Sequence, residues 1–497
     1  MRLLLRADAG PQVGTGHVMR TLALAQAWRK RKGEVRLLAA SLTEHLRTRL
    51  HQHGIEVDRV RAEPGTDEDA AITKNLAEGW KADWVVLDGY RFGARYQERL
   101  TSDTYSRLVI DDYGHADRYA AEAVLNQNLY ASVADYAERA EGAKLLLGPS
   151  YALFREEFWP WRAWKRSPPA TPMRVLVTMG GADPENATGR VLEGLRGDPS
   201  LEIVVVVGGA NPRTYSEQPT RPSVRVRRDV TSMPAHMCWA HVAFAAGGTT
   251  ALELLFMQLP SALAVLAENQ VRVVQSLERQ RLGFSLGRAD SLSAASVGGA
   301  LHRLVRDAES YRSAVERSAE VVDGWGVERV VDAMLGRGWS LRPATESDAE
   351  TLWRWANDPL TRSVSLNPEP IPWAEHLQWL DSKLNDPNTC MWLAIDERGV
   401  PLGQVRFDRT GREAVISVGL DPARRGAGLG AQLIQQSSDR MLRTKGLGLI
   451  RAYIKPDNIA SQRAFTRAGY KVKGKTTVQG QAVVEMTYAA KEVECEA

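Results

Sequence analysis

Residues 6–20 read RADAGPQVGTGHVMR. The apolar run Leu3-Leu4-Leu5 leads into this stretch, and a strand ends at Asp8. Gly14-Thr15-Gly16 then makes a tight turn ahead of His17, which opens the helical stretch HVMRTLALAQAWRKR. Strand, glycine turn and helix form the unit from which parallel sheets are built. The glycines permit close backbone approach and positive φ, and a helix start offers free N–H groups to an anion. Packing alone also produces such turns, so spacing by itself favours a capping or satisfied polar role for His17.

The rhythm continues outward. EVRLLAA, DWVVLDG, RLVIDD and AVLNQN are compact apolar segments with polar stops, separated by amphipathic stretches of helix length. It breaks at Phe154–Met173, where FREEFWPWRAWKRSPPATPM carries four prolines and three tryptophans and reads as a bounded connector. The pattern then restarts with MRVLVTMGGAD, LEIVVVVGGAN, VRVRRDV and HVAFAAGGTT, so two similar α/β halves with a cleft between them are expected. A second break lies at Gly336-Arg337-Gly338. Beyond it, SLRPATESDAETLWRWAND reads as a strand and a capped helix, with Thr345 as N-cap and Asp348 three residues on.

Composition bounds the rest. A chain of 497 residues suggests about three domains, and 44% hydrophobic with 25% charged residues excludes wholesale disorder. The net charge of +4 is spread along the chain, so neither a nucleic-acid nor a membrane-surface partner is expected. Leu3–Leu5, flanked by Arg2 and Arg6, does not read as a signal peptide, and no apolar window reaches the length of a membrane span. Cys238, Cys390 and Cys495 are odd in number and far apart, which implies no disulfide framework and no zinc spacing; a reducing cytoplasm fits best. His51 and His53 lack a third ligand, and Arg29–Lys32 reads as a solvated helix end. No metal is expected.

In the second half, Gly247-Gly248-Thr249-Thr250 stands between a strand and a helix, with Glu253 one turn in. Backbone N–H groups and threonine hydroxyls at such a helix start suit diphosphate oxygens, and Glu253 is placed to accept from ribose hydroxyls. Asn269 and Gln270 follow the next apolar strand, within reach of a sugar. A purely structural turn explains Gly-Gly-Thr-Thr about as well.

Over about the first 335 residues the chain resembles the UDP-sugar hydrolases of pseudaminic acid biosynthesis, relatives of GT-B glycosyltransferases. The likeness runs through RADAGPQVGTGHVMRTLALA, LDGY (87–90), IDDY (110–113), LLGPSYALFREEF (146–158), MGGADPENAT (179–188), the GGTT helix start and ENQ (268–270). It implies metal-free removal of UDP from a 2,4-diacetamido-trideoxy hexose by water attack at the anomeric carbon. His17 occupies the slot of the family's catalytic histidine, with Gly14 and Gly16 beside it. Imidazole titrates near neutrality and suits the base of an inverting displacement. Asp8 is read as orienting His17 or the sugar, or equally as a strand-end residue capping the turn.

Val418–Gly430, VGLDPARRGAGLG, directly follows the apolar strand EAVISVGL. Arg425, Gly428 and Gly430 fit an Arg/Gln-x-x-Gly-x-Gly/Ala signature, in which backbone N–H groups curl around a pyrophosphate and lead into a helix. With IKPDNIASQRAFTRAGY (454–470), this resembles the GNAT acetyltransferases over about residues 339–490. The resemblance implies acetyl-CoA as co-substrate. It is held by Val418, Leu420, Arg425, Gly426, Ala427, Gly428, Leu429 and Gly430, with Asn458 and Ser461 near the pantetheine arm. Phe465 stands where many members carry a tyrosine general acid. Glu413 and His376 are candidate bases, each better read as a surface charge and a helix residue. Trp353, Trp355, Trp373, Trp379 and Trp392 are better read as core than as a stacking platform.

The expected architecture is therefore α/β: a GT-B-like pair of Rossmann-type domains (1–165 and 166–336) followed by a GNAT α/β domain with a mixed sheet (337–497). The two resemblances together imply a bifunctional enzyme. It would N-acetylate the 4-amino group of a UDP-4-amino-4,6-dideoxy sugar and hydrolyse the UDP-diacetamido product. A GT-B glycosyltransferase is one alternative. Another is a silent nucleotide-sugar-binding module fused to a protein N-acetyltransferase.

Overall fold

Leucine- and valine-rich runs with polar stops pair in parallel to make the first sheet. Its strands are β1 (Arg2–Ala7), β2 (Glu34–Ala39), β3 (Glu56–Arg59), β4 (Trp84–Asp88), β5 (Ser106–Ile110), β6 (Ala123–Asn126) and β7 (Lys144–Leu147), in the order 3-2-1-4-5-6-7. The computed structural model describes every residue except Pro11, Gln12, Ala170, Arg221, Arg306, Glu397, 491–494 and 496–497. The short strands β3 and β7 carry too little pattern to be read from sequence.

The second parallel sheet comprises β8 (Met173–Thr178), β9 (Leu201–Val207), β10 (Ser223–Arg228), β11 (Val242–Ala246), β12 (Ser261–Val265) and β13 (Phe284–Arg288), in the order 10-9-8-11-12-13. Counted from its own first strand, this is the doubly wound 3-2-1-4-5-6 arrangement, as in the first six strands of the other sheet. Strands buried on both faces explain the continuous apolar runs: the consecutive residues Val175, Leu176, Val177 and Ile203, Val204, Val205 are all almost wholly excluded from solvent. The two sheets belong to one compact unit, Met1–Trp161 with Arg166–Val331. The connector between them is packed. It turns through a 3₁₀ segment, Glu156–Trp161, and Phe154 and Phe158 gather their rings around Phe256. Arg166 donates its buried guanidinium to the carbonyls of Met237, Ala240 and Met257. Cys238 and Cys495, 257 residues apart, are joined as a disulfide, against the expectation of none. Spacing arithmetic cannot reveal a partner so distant.

The second unit contains Arg162–Lys165 and the chain from Asp332 onward, apart from the tail at Cys495. Its mixed sheet holds β14 (Trp339–Pro343), β15 (Thr389–Asp396), β16 (Pro401–Thr410), β17 (Glu413–Leu420), β18 (Leu449–Ile454), β19 (Lys471–Val478) and β20 (Gln481–Tyr488), in the order 14-15-16-17-18-20-19. Thr345 and Asp348 form the expected capping box before the helix Ala349–Ala356. The decisive feature is a splay. β17 and β18 pair in parallel only over Glu413–Val415 against Leu449–Arg451, after which β17 runs on to Leu420 without its neighbour. Among the described residues, no helix is long and apolar enough to cross a membrane.

Candidate functional sites

In an open parallel sheet, ligands bind beyond the carboxyl ends of the strands, where the strand order reverses. In the first unit these ends frame a cavity of about 410 Å³, within the range of small-ligand sites. Gly14, Gly16, His17, Gly247, Gly248, Thr249, Thr250, Glu253, Asn269 and Gln270 all line it. The helices Gly16–Lys30 and Thr250–Phe256 both start at its wall, and neither has a side-chain cap. At the second of these helices the Ala251 and Leu252 N–H groups are already taken by the Gly248 and Thr249 carbonyls, so it is the turn leading into each helix, through its first residue, that offers N–H groups to the cavity. Gly247 is required for packing: a Cβ there would lie 2.4 Å from Val274 Cγ2. Gly14 is required for conformation, with φ +78°.

His17 is buried, and its Nδ1 lies 2.6 Å from Asp88 Oδ1. Arg20, one helical turn on, holds the same carboxylate through Nε to Oδ2 at 2.6 Å and Nη2 to Oδ1 at 2.7 Å. Burial by itself would raise the Asp88 carboxyl, but Arg20 and His17 outweigh it and keep the group below the ordinary carboxylate range. An ionised Asp88 can only accept, so Nδ1 carries a proton, and in the neutral imidazole the lone pair is on Nε2. Arg20 Nη2 also approaches Nδ1, at 3.2 Å, but the shorter carboxylate contact decides the tautomer. Nε2 has no hydrogen-bond partner among the described residues. The network extends through Arg20 to Asp112 (2.7 Å), from Tyr90 to the other Asp112 oxygen (2.6 Å), and from Asn269 to the Tyr90 hydroxyl (2.8 Å). Burial, with Asp112 beside it, pushes the Tyr90 phenol above its ordinary range, so it is neutral and donates.

Asp8 is not part of this constellation. It accepts from Arg6 at 2.7 Å and from the backbone of Ala40 and Ser41, and it does not line the cavity. The carboxylate that orients His17 is Asp88, because β4 lies beside β1 in the sheet. Glu253 lines the cavity with one oxygen taken by Arg155 at 2.8 Å, and burial raises its carboxyl against the pull of that arginine. Gln270 accepts from the Leu266 N–H and braces its own loop. Sequence reasoning missed Arg20, Asp88, Tyr90 and Asp112 as a network. The available signal was buried strands ending in acid, at LDGY and IDDY. It also missed the glycine turns Gly180-Gly181 and Gly208-Gly209, which pack backbone to backbone: a Cβ on Gly208 would meet the Gly180 carbonyl oxygen at 2.5 Å. No group of three or more His, Cys, Asp or Glu side chains suited to a metal occurs among the described residues.

In the second unit, Val418 and Leu420 sit on β17 beyond the point where β18 departs. Arg425 to Gly430 then turn into the helix Leu429–Lys445. Gly426 and Gly428 have φ of +81° and +86°, which explains glycine at both, while Ala427 is exposed between them. The Arg425 side chain points elsewhere: its Nη1 lies 2.8 Å from Asp358 and its Nη2 2.9 Å from Thr361 Oγ1. Asn458 caps the helix Ile459–Arg467 by accepting from the Ser461 N–H at 3.1 Å. Phe465 is buried edge-on against Tyr470, whose hydroxyl is engaged by Ser438. His376 is buried, bonds the Ala349 carbonyl at 2.9 Å and is held below its ordinary pKa by burial. Glu413 is exposed and paired with Arg451. Both candidate bases are engaged elsewhere, His376 Nε2 with a backbone carbonyl and Glu413 with an arginine.

A mixed sheet with two splayed neighbours and a glycine loop opening a helix defines an acyl-transfer domain. Residues 340–471 match the acetyltransferase (GNAT) domain family. The L-2,4-diaminobutyric acid acetyltransferase of Streptomyces coelicolor is 34% identical over 124 residues, 24% of this chain and 67% of that protein. The chain belongs to the GNAT acetyltransferases through this stretch, and acetyl-CoA is the acyl donor of that domain. Two further relatives act in sugar metabolism by name. The spore coat polysaccharide biosynthesis protein SpsG of Bacillus subtilis is 21% identical over 338 residues, 66% of this chain and 96% of that protein. The UDP-2,4-diacetamido-2,4,6-trideoxy-beta-L-altropyranose hydrolase of Campylobacter jejuni is 24% identical over 218 residues, 43% of this chain and 71% of that protein.

Proposed function

We propose that the chain is a bifunctional nucleotide-sugar enzyme, with the hydrolase in residues 1–336 (lobes 1–165 and 166–336) and the acetyltransferase in 337–497. The observation that carries the hydrolytic half is the His17–Asp88 pair at the wall of a cavity ringed by glycine turns. A hydrolase of UDP-linked diacetamido sugars among the relatives supports the same reading. In this half, water attacks the anomeric carbon and the bond to the diphosphate oxygen breaks. UDP departs with the bonding pair, and the water proton passes to His17 Nε2. Asp88 holds Nδ1–H and stabilises the imidazolium that forms, while Arg20 and Asp112 keep Asp88 in place. The departing diphosphate is received by backbone N–H groups at Thr15–Gly16 and Gly248–Thr250, since those of Gly14 and Gly247 are held by the Gly10 and Ala264 carbonyls.

The acetyltransferase half transfers the acetyl group of acetyl-CoA to the 4-amino group of a UDP-4-amino-4,6-dideoxy sugar, releasing CoA thiol. Its product is then the hydrolase substrate. The test is mass spectrometry of products from UDP-4-amino-4,6-dideoxy-N-acetyl-altrosamine with acetyl-CoA. Free diacetamido sugar with UDP and CoA supports the proposal. UDP release that requires an added acceptor points to a glycosyltransferase instead. Formation of neither CoA thiol nor UDP points to a nucleotide-sugar-binding module joined to an acetylator of protein amines.

A further inference from the structure

The acetyl-CoA loop depends on an element outside itself. From Asp421 to Gly428 the loop has few anchors: Asp421 accepts from the Ala423 N–H, and the Asp421 N–H reaches the Leu402 carbonyl. Gly426 and Gly428 have no atom within 4 Å of where a Cβ would stand, and both adopt positive φ. Glycine at such positions has many alternative conformations, so a loop of this kind pays a large ordering entropy when it closes on a ligand. Just ahead of them in the same turn, Arg425 fastens the loop, and it does so to the helix Pro359–Val364. One guanidinium nitrogen meets Asp358 Oδ2 and the other Thr361 Oγ1. Asp358 is fixed in turn: it caps that helix by accepting from the Thr361 N–H at 3.0 Å and from the Thr361 hydroxyl. At the helix's other end, Lys455, just past β18, donates to the Ser363 carbonyl. The helix therefore bridges from the loop after β17 to the end of β18, across the opening between the splayed strands.

We propose that Arg425 is a positioning residue, and that acetyl-CoA affinity is set in part by Asp358 and Thr361, which hold the loop through its side chain. The backbone N–H groups of the loop remain the ones that receive the pyrophosphate. The arginine serves them by pre-ordering the turn through the helix across the splay.

The test is calorimetric titration of the full chain with acetyl-CoA, which needs no amine substrate. Asp358→Asn and Thr361→Val each weaken acetyl-CoA binding, by about tenfold for the first and threefold for the second, the scale of a partly exposed charge-assisted contact and of a neutral one. Arg425→Lys retains more affinity than Arg425→Ala. The double variant Arg425→Ala/Asp358→Asn binds no more weakly than Arg425→Ala alone, because the two residues act as one link. Unchanged melting temperatures of the single variants separate this from unfolding; should Asp358→Asn fail to fold, Thr361→Val carries the same reading. Native affinity in folded Asp358→Asn and Thr361→Val would overturn the proposal, as would additive losses in the double variant, since either result means that the link from Arg425 to the helix does not set the affinity.

Discussion

Asp88→Asn tests the hydrolytic site at its most constrained point. The native carboxylate accepts from His17 Nδ1 and Arg20 Nη2 on one oxygen and from Arg20 Nε on the other. Asparagine offers one accepting oxygen and a donating NH2, and it can be oriented two ways. With its oxygen toward His17 the tautomer survives, but NH2 then faces Arg20 Nε, donor against donor, in a site shut off from water. Leaving a buried charged donor without an acceptor costs about 3 kcal/mol. With its oxygen toward Arg20 Nε, the NH2 group takes the place of Oδ1, where it faces Arg20 Nη2 donor against donor and makes Nδ1 accept instead. Each orientation strands one Arg20 donor, and the second, which satisfies the imidazole, moves its proton to Nε2, the nitrogen that must take a proton from water. Comparable tautomer reversals behind a catalytic histidine lower kcat about 10³–10⁴-fold, or ~4–5 kcal/mol of transition-state stabilisation. The assay is UDP release from the UDP-diacetamido sugar, followed by chromatography, with circular dichroism to establish folding. KM should change little, because Asp88 faces His17 and not the ligand. His17→Ala/Asp88→Asn should be no slower than His17→Ala alone. Turnover of folded Asp88→Asn within tenfold of the native rate would refute the assignment of His17 as a base oriented by Asp88. Asp8→Asn should instead lower the melting temperature, since Asp8 holds Arg6 and the backbone after β2.

Three other outcomes follow from local packing and charge. Gly247→Ala forces a methyl onto Val274 and should destabilise the first unit by about 1–3 kcal/mol, measured by denaturant titration with unchanged slope. Phe465→Tyr places a hydroxyl in a buried edge-on contact with Tyr470. It should lower stability by ~1–2 kcal/mol without raising the acetyl-transfer rate; a rate gain would show that the slot is catalytic after all. Burial, with Arg174 and Arg166 nearby, lowers the His241 pKa to about 4. The unfolded imidazole binds its proton near pH ~6.5, so the unfolded state holds the extra proton between these values. Stability from this residue is then complete above pH ~6.5 and falls as pH drops toward 4, by on the order of 3 kcal/mol. His241→Gln should flatten the decline over that window, and an unaltered slope would contradict it.

How much was legible varied with the range of the interaction. The rhythm of β1, β2, β4, β5 and β6, and of β8 to β12, follows from apolar runs with polar stops, because strand burial is a property of consecutive residues. The loop at Arg425–Gly430 was legible for a related reason: positive φ at two positions selects glycine, and the requirement is visible in the residue itself. The two weak strands flanking the first sheet were not, since EVDR and KLLL are too short to show a period. Histidine 17 could be singled out, but its partner could not. Asp8 was the reasonable choice by proximity in sequence, and it was displaced by a residue 71 positions away.

That displacement marks the division between the two levels. Sequence alone determined where the chain must turn, which runs must be buried and which backbone segments can lie against a phosphate, because these depend on neighbours along the chain. Tertiary structure decided which charges meet: strand order set β4 against β1 and brought Asp88 to His17, the packing of the helix Pro359–Val364 drew Arg425 to Asp358, and Cys238 found Cys495 across 257 residues. Side-chain pairing energy acts through space over a few ångströms, and only the folded topology fixes which residues come within that distance.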